Sequence, residues 1–338
     1  MPNHCLSYGR HTTVSGILAL VFAGFSTAVG FGAGAASPSA SVETACSRAN
    51  ARTPTVLPEK SCKGTPSAAS GSRQSTYSYQ ALDYPGASQT IFWGLNDFNE
   101  LAGQYSIAGG TAHAMTYRYG RFEPLDPERL GHYFSAAGGP TDVGATFGGY
   151  ADASGLQHGF VIRRGQFETV DFPSHLNSNV DGVNLFRTIL GVYWDADGIF
   201  HGVLRHDGKD TPIDVPGAVD TYPLGINDEG ESVGFWDTNP SLVNGFYRTA
   251  NGQFSTLNVP DASGTVAFAI NDRGQIAGYY RSTSGAIHGF VKTGMQFQDI
   301  DMPGAAATIA TAINNSGSVA GYYVDTAGIR HGFLATPW

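Results

Sequence analysis

The stretch Ile270–Ala305, INDRGQIAGYYRSTSGAIHGFVKTGMQFQDIDMPGA, decides the fold, because its Gly, its His and its Asp-x-Pro return at a fixed pitch to either side. The glycine recurs as Gly103, Gly148, Gly191, Gly234, Gly278 and Gly321, at spacings of 45, 43, 43, 44 and 43 residues. Ten residues after each stand His113, His158, His201, Asn244, His288 and His331. Self-similarity at roughly 40–50 residues is the mark of a propeller or a solenoid.

Within one unit the pattern breaks into four strand-sized pieces: TVAFAI, QIAGYY, IHGFVK and QFQDID. The first two are joined by NDRG, whose Asn, Asp and Gly tolerate the left-handed backbone of a tight turn. RSTSGA is a polar loop, a short turn centres on Gly294, and MPGA leads to the next unit. Four short antiparallel strands in this span make one propeller blade. The sixth unit stops after its third strand, at IRHGFLATPW, while YSYQALDYPGA (Tyr77–Ala87) aligns with the fourth-strand piece MQFQDIDMPGA. Pairing the two chain ends in one blade would close a ring, so the expected fold is an all-β, six-bladed β-propeller over residues 77–338. A linear solenoid would have no use for this permutation and would need polar capping repeats.

The HGF triplets at His158, His288 and His331, with the variants HGV at His201, NGF at Asn244 and HAM at His113, resemble a family of probable extracellular repeats named for a His-Ala-Phe tripeptide (HAF repeats). The resemblance covers residues 77–338 and implies export and a repeated β-architecture, with no activity to carry over. Units two and three depart from it, having PTDVG and VNLFR where the others carry IND-x-G.

The recurring residues read as joints. Glycine inside a strand marks close approach, here expected from packing between blades. The histidines stand on separate blades, too far apart to share one metal ion at about 2.0–2.1 Å; each is expected to bond a loop carbonyl or a carboxylate of its own blade, with Asn244 as a shorter substitute. Asp83, Asp171, Asp214 and Asp301, with Asp126 and Asn258 as variants, precede Pro and are expected to accept backbone N–H bonds in the link to the next unit. Proline ends the fourth strand because it cannot donate to a ladder. Two motifs are discounted. GESVG (Gly230–Gly234) lacks the strand-to-helix elbow that a nucleophilic Ser232 requires, and DADG (Asp195–Gly198) supplies only part of a calcium loop.

Composition agrees with a β-rich exported protein. The 338 residues include 45 Gly and 17 Pro, with 41% hydrophobic and only 14% charged, and windows of Tyr, Phe, Val, Ile and Thr are broken by turn residues. Arg10 precedes an apolar run from Ile17 to about Phe31 and then AGAASPSA, the layout of a signal peptide. Cleavage is expected after residues 1–36, which would leave no membrane span; an uncleaved anchor is the alternative. Residues 37–76 would be an exported linker in which Cys46 and Cys62 form a disulfide, as an oxidising compartment allows. Residues 1–76 hold 6 of the 19 Lys and Arg and 2 of the 28 Asp and Glu, leaving 13 basic against 26 acidic groups in the repeat region. That acidity argues against nucleic-acid binding. A secreted or periplasmic monomer without metal or cofactor is expected.

Loops following the second and fourth strands share one face, and ligands favour loops on a rigid scaffold. The first set opens on one aromatic per unit: Tyr105, Tyr150, Tyr193, Trp236, Tyr280 and Tyr323. Aspartates accompany them at 152, 195, 197, 237 and 325. Rings beside carboxylates suit sugars or a basic protein surface, whereas rings packed between blades would be structural. A non-catalytic binding module is the favoured function. The alternative is a polysaccharide hydrolase or lyase built on the irregular units two and three, with His132, His175, Asp181, Asp195 and Asp197 for acid/base work.

Overall fold

The structure is a computed structural model describing residues 76–108, 110–125, 134–172, 177–238 and 242–338. The leader, Cys46, Cys62, Asp126, His132 and His175 lie outside the described residues.

Among the described residues every regular element is a strand. β1 (Tyr77–Ala81) comes first. Unit one holds β2 (Gln89–Leu95), β3 (Leu101–Ser106), β4 (Ala112–Arg118) and β5 (Arg121–Pro124). Unit two holds β6 (Phe134–Ala137), β7 (Thr146–Ala151), β8 (Gln157–Arg163) and β9 (Gln166–Val170). Unit three holds β10 (Asn177–Val183), β11 (Ile189–Trp194), β12 (Phe200–His206) and β13 (Lys209–Pro212). Unit four holds β14 (Asp220–Ile226), β15 (Ser232–Asp237), β16 (Val243–Arg248) and β17 (Phe254–Leu257). Unit five holds β18 (Ala262–Ile270), β19 (Ile276–Ser282), β20 (Ile287–Thr293) and β21 (Gln296–Ile300), and unit six holds β22 (Ala307–Ile313), β23 (Val319–Val324) and β24 (Arg330–Pro337).

Units one to four are each a four-stranded antiparallel sheet, and the rest form one eight-stranded sheet, in a propeller-like arrangement. In the larger sheet β18–β21 meet β22–β24 through a single parallel pair, Ile287↔Ala307. β1 runs antiparallel to β24 from Tyr77↔Pro337 to Ala81↔Phe333. Second strands are buried continuously rather than alternately, as in Leu101–Gln104 and Val319–Tyr322. Sheets covered on both faces give such runs; the covering residues are the neighbouring units' strands, with Tyr222, Phe235, Phe268 and Tyr322 in one shared core.

The first strand carries a bulge at the same point in five units, at Phe92/Gly94, Val180/Gly182, Pro223/Gly225, Ala267/Ala269 and Ala310/Ala312. In five of the six units the recurring glycine is reserved by the first strand of its own sheet rather than by a neighbouring blade. A Cβ on Gly103, Gly148, Gly234, Gly278 or Gly321 would lie 1.9–2.1 Å from a first-strand carbonyl oxygen of its own unit; one on Gly191 would first meet the Phe172 ring from the end of unit two at 2.3 Å and then Asn179 O at 2.5 Å, so there the expected packing between units holds. Contact between units also falls on the glycine of the HGF triplet. A Cβ there would meet the next unit's first strand: Val180 from Gly159, Pro223 from Gly202, and Phe92 from Gly332.

The hairpin after the first strand keeps one geometry even where its sequence departs. Asn271 Oδ1 accepts from the N–H groups of Arg273 and Gln275, and Gly274 sits at φ +69°. In unit three Asn184 plays the same part and Arg187 takes the left-handed position at φ +62°; in unit two Thr141 replaces the Asn and Gly144 has φ +76°. These hairpins are tied in series. Asn315 N–H donates to Asp97, Asp97 to Asp142, Leu185 to Asp228, Asp228 to Asp272 and Asp272 to Asn315, at 2.7–2.9 Å. The adjoining Asn side chains donate to the next hairpin's carbonyl, including Asn314 to Asn96 O at 3.0 Å. Read from sequence, the Asp of IND-x-G is turn chemistry only; its reach to the next unit depends on the tertiary arrangement.

Candidate functional site on the loop face

The loop face repeats one constellation. The aromatic at the end of the second strand stands directly across the ladder from the His that begins the third, as in Tyr280↔His288 and Tyr323↔His331. Facing positions on adjacent strands bring side chains into contact, so ring lies on ring. Tyr150–His158, Tyr193–His201, Tyr280–His288 and Tyr323–His331 stack with centroids 5.0–5.3 Å apart and planes 22–27° from parallel. Tyr105 and His113 are tilted at 40°, and Tyr84 stacks on Tyr105 at 3.7 Å.

The Asp-x-Pro carboxylate completes the group. His Nδ1 lies 2.8–3.0 Å from Asp171, Asp214, Asp301 and Asp83 in units two, three, five and six. The second carboxylate oxygen accepts the N–H of the residue after the His, from Gly202 at 2.9 Å and Gly332 at 3.3 Å. The Asp therefore ties the fourth strand to the third strand of its own sheet, rather than serving the link to the next unit. Met302 N–H instead donates to the Thr308 hydroxyl across that link, and Phe172, Val215 and Val259 do likewise to Ser178, Thr221 and Thr265.

In units two, three and six a further aspartate faces His Nε2, Asp152 and Asp325 at 3.4 Å and Asp195 at 3.7 Å. Each caps its own turn, Asp195 accepting from Asp197 and Ile199 N–H. DADG is thus a turn whose caps use one oxygen of Asp195 and leave the other for His201. The Ser154 hydroxyl, helped by backbone N–H groups and His158, holds Asp152 down at about 2. Burial pulls His331 down, but Asp83 and Asp325 outweigh it and hold the imidazole above its ordinary value. Burial and the bond to Asp299 push the Tyr280 phenol up to about 12, so it remains a neutral donor.

Unit four substitutes all three members together: Trp236, Asn244 and Asn258, with Asn258 Nδ2 donating to Asn244 Oδ1 at 2.9 Å. An amide pair replaces a His–carboxylate pair with the hydrogen bond retained. Trp236 Nε1 is buried without a partner, as is Asp237 Oδ1.

The six aromatics are half-buried on their own sheets. Where one face rests on the imidazole, the rest of the ring borders the loops. The imidazoles of units two, three and six have carboxylates near both nitrogens, at 2.8–3.0 Å from Nδ1 and 3.4–3.7 Å from Nε2. Ser232 is fully buried in a strand-turn-strand. Of the acid/base candidates, Asp195 and Asp197 share a loop-face turn, while Asp181 sits on β10 in the wall of a cavity between the first strands; the structure does not bring these together. Among the described residues no group of three or more His, Cys, Asp or Glu is placed to hold a metal ion.

A scan against known protein families finds no match, and no curated protein matches the chain. Solved structures do. A mutant of AofleA from Arthrobotrys oligospora is 12% identical with a TM-score of 0.50, covering 78% of this chain and 88% of that one. A mutant of the Aleuria aurantia lectin in complex with alpha-methyl-L-fucoside is 9% identical, TM-score 0.48, covering 75% and 93%. TolB from Acinetobacter baumannii is 11% identical, TM-score 0.48, and this chain spans 64% of its length. At such identities the likeness is one of fold.

Proposed function

We propose that the chain is an exported six-bladed β-propeller that acts as a non-catalytic binding module and takes carbohydrate on its loop face. Six blades follow if the eight-stranded sheet is divided at its one parallel pair, with β1 as the outer strand of the sixth. Closure is supported by bonds from unit six to unit one: Asn315 to Asp97, Asn314 to Asn96 O and Thr311 Oγ1 to Phe92 O. The reading includes removal of residues 1–36, a Cys46–Cys62 disulfide and kinship with the HAF repeats.

The observation that carries the binding reading is the Tyr–His–Asp constellation, standing with its ring stack in units two, three, five and six. Catalysis needs unlike groups converging at one place; these are like groups, one per blade. A half-buried Tyr braced from behind by an imidazole offers a fixed apolar edge for a pyranose, and carboxylates beside it accept from sugar hydroxyls. Repetition would supply avidity for a multivalent glycan.

The full-length exported protein is screened on a glycan array and by calorimetry, alongside Tyr280→Ala, Tyr323→Ala and the double variant. Each single variant should weaken multivalent binding several-fold, and the double variant more. A protein that binds no glycan, or that turns one over in a manner abolished by a single substitution, would overturn the reading.

A further inference from the structure

The opposite, hairpin face opens into a cavity of about 160 Å³ between the first strands of the units. Its mouth is acidic, lined by Asp97, Asp142, Asp228 and Asp272 together with Asn315. Each of these four carboxylates accepts a neighbouring hairpin's N–H on one oxygen, and Asn315 Nδ2 donates to the second oxygens of Asp97 and Asp272 at 3.0 and 2.7 Å. Burial, with the surrounding carboxylates, holds both Asp142 and Asp228 above their ordinary values. All of these donors are uncharged, and no Lys or Arg lines the cavity among the described residues, so the mouth holds no countercharge of its own.

Inside, the bulges decide the wall. The extra residue of each bulge, left out of the ladder, is Trp93, Asp181, Leu224, Phe268 or Thr311, and all five line the cavity. Bulges re-aim side chains in this way. Four of the five are neutral; the fifth is a carboxylate. Asp181 Oδ1 accepts from Asn179 Nδ2 at 2.6 Å, while Oδ2 is buried and has no partner. An orphan carboxylate oxygen carries a desolvation cost that a donor would offset.

We propose that this cavity binds an alkylammonium chain, a primary ammonium on a flexible aliphatic stem, which passes the carboxylate mouth and donates to Asp181 Oδ2. Leu224, Phe268 and Trp93 pack the stem, and the aromatic faces favour the cation. Asp181 lies two residues before the end of its strand at Val183, and the hairpin that carries the mouth residues Asn184 and Leu185 follows it, so the carboxyl stands below the mouth. An extended aliphatic chain can reach from the mouth carboxylates to a carboxyl below them, a separation that a compact ion does not bridge. A divalent metal would need several oxygens converging at about 2.3–2.6 Å, and no such carboxylate group stands among the described residues. An ammonium needs only up to three acceptors, met singly. The same chemistry is offered by a free aliphatic diamine and by a lysine side chain of a partner. The site is independent of glycan binding, which lies on the other face.

Burial raises Asp181 to about 8, so at neutral pH an ammonium that ionises it displaces a proton to solvent. The other titratable groups near it are Tyr222 and, at the mouth, Asp97, Asp142, Asp228 and Asp272; binding at the mouth alone would release far less.

Full-length protein is titrated calorimetrically with cadaverine and with N-acetyl-lysine methylamide, at pH 7 in two buffers of different ionisation enthalpy. At least one probe should bind at sub-millimolar Kd with release of about one proton, and Asp181→Asn should weaken it about tenfold or more, or by at least ~1.4 kcal/mol. Preference for cadaverine assigns a free diamine, and preference for the lysine derivative assigns a side chain. Because Asp181→Asn replaces a buried carboxyl that is mostly protonated at pH 7 by an uncharged amide of the same shape, its thermal midpoint should change little, which separates lost binding from lost folding. Failure of both probes to bind, equal binding by Asp181→Asn, or an Asp181-dependent heat from calcium chloride alone would each overturn the proposal.

Discussion

Replacing Gly278 by Ala tests whether the recurring glycine is held by its own sheet. A Cβ at Gly278 would lie 2.1 Å from Val266 O and 2.8 Å from two ring atoms of Phe290. An ordinary carbon–oxygen contact is about 3.3 Å, so the overlap with a backbone atom exceeds ~1 Å, and neither the bulged β18 nor the fully buried Phe290 can yield cheaply. Relief must move the first strand or break the ladder, which places the cost at the upper end of overpacking, about 3 kcal/mol or more. For a body of this size that is a fall in Tm of roughly 6–12 °C. Gly285→Ala is the control. Gly285 has φ +90° and open space around it, so only the backbone conformation is strained, at about 1–2 kcal/mol. Thermal and urea unfolding of the exported protein would be compared for the two variants. If Gly278→Ala is no more destabilising than Gly285→Ala, the carbonyl contact is not what reserves the position for glycine.

Converting unit five to the amide pair of unit four, with His288→Asn and Asp301→Asn together, should cost less than the two single changes summed, by about 0.5–1 kcal/mol; the pair is partly exposed, so a urea double-mutant cycle is the appropriate measure. Burial, then Asp220, raises Asp237 to about 6; the folded state keeps a proton that the unfolded chain loses near pH 4, so stability falls as pH rises through about 4–6. Asp237→Asn should remove that slope and stabilise the protein above pH 6 by up to ~3 kcal/mol, read from urea midpoints across pH. His331 behaves oppositely. Its raised value means that the Asp83 tie between the chain ends is strongest below the ordinary His range and fades as pH rises through the folded value, so His331→Asn should destabilise more at pH 5.5 than at pH 8.5, by a few tenths of a kcal/mol to ~1 kcal/mol.

The period in the sequence was enough to place every second and third strand, because a 43-residue repeat with turn residues at constant offsets leaves little freedom in where strands begin. The pairing of YSYQA with the last strand followed from the missing piece alone, and β1 does lie on β24. The histidines were legible as joints, and their partners fall 13 residues on, at Asp171, Asp214 and Asp301, an offset visible in the sequence once the pairing is known. Less legible was which contact each glycine serves. Gly278 was assigned to packing between blades, yet it faces its own bulged strand, while Gly159, Gly202 and Gly332 closely approach the next unit's first strand. The sequence separates the two only at unit one, where the triplet carries Ala114 while the second strand keeps Gly103, a single exception that does not say which contact each position serves.

The sequence by itself thus determined the all-β class, the unit length, the order of strands and the joining of the two ends, because these rest on local turn chemistry and a period that any strand-forming chain must obey. Tertiary structure decided what the repeated residues touch. The stacking of tyrosine on imidazole in four units depends on the register between adjacent strands, while the convergence of Asp181 and Trp93 on one cavity and the hydrogen-bond series from Asn315 through Asp97 to Asp142 depend on how whole sheets are set beside one another. That arrangement is fixed by burial on both faces of every sheet, a condition no single unit can meet or reveal.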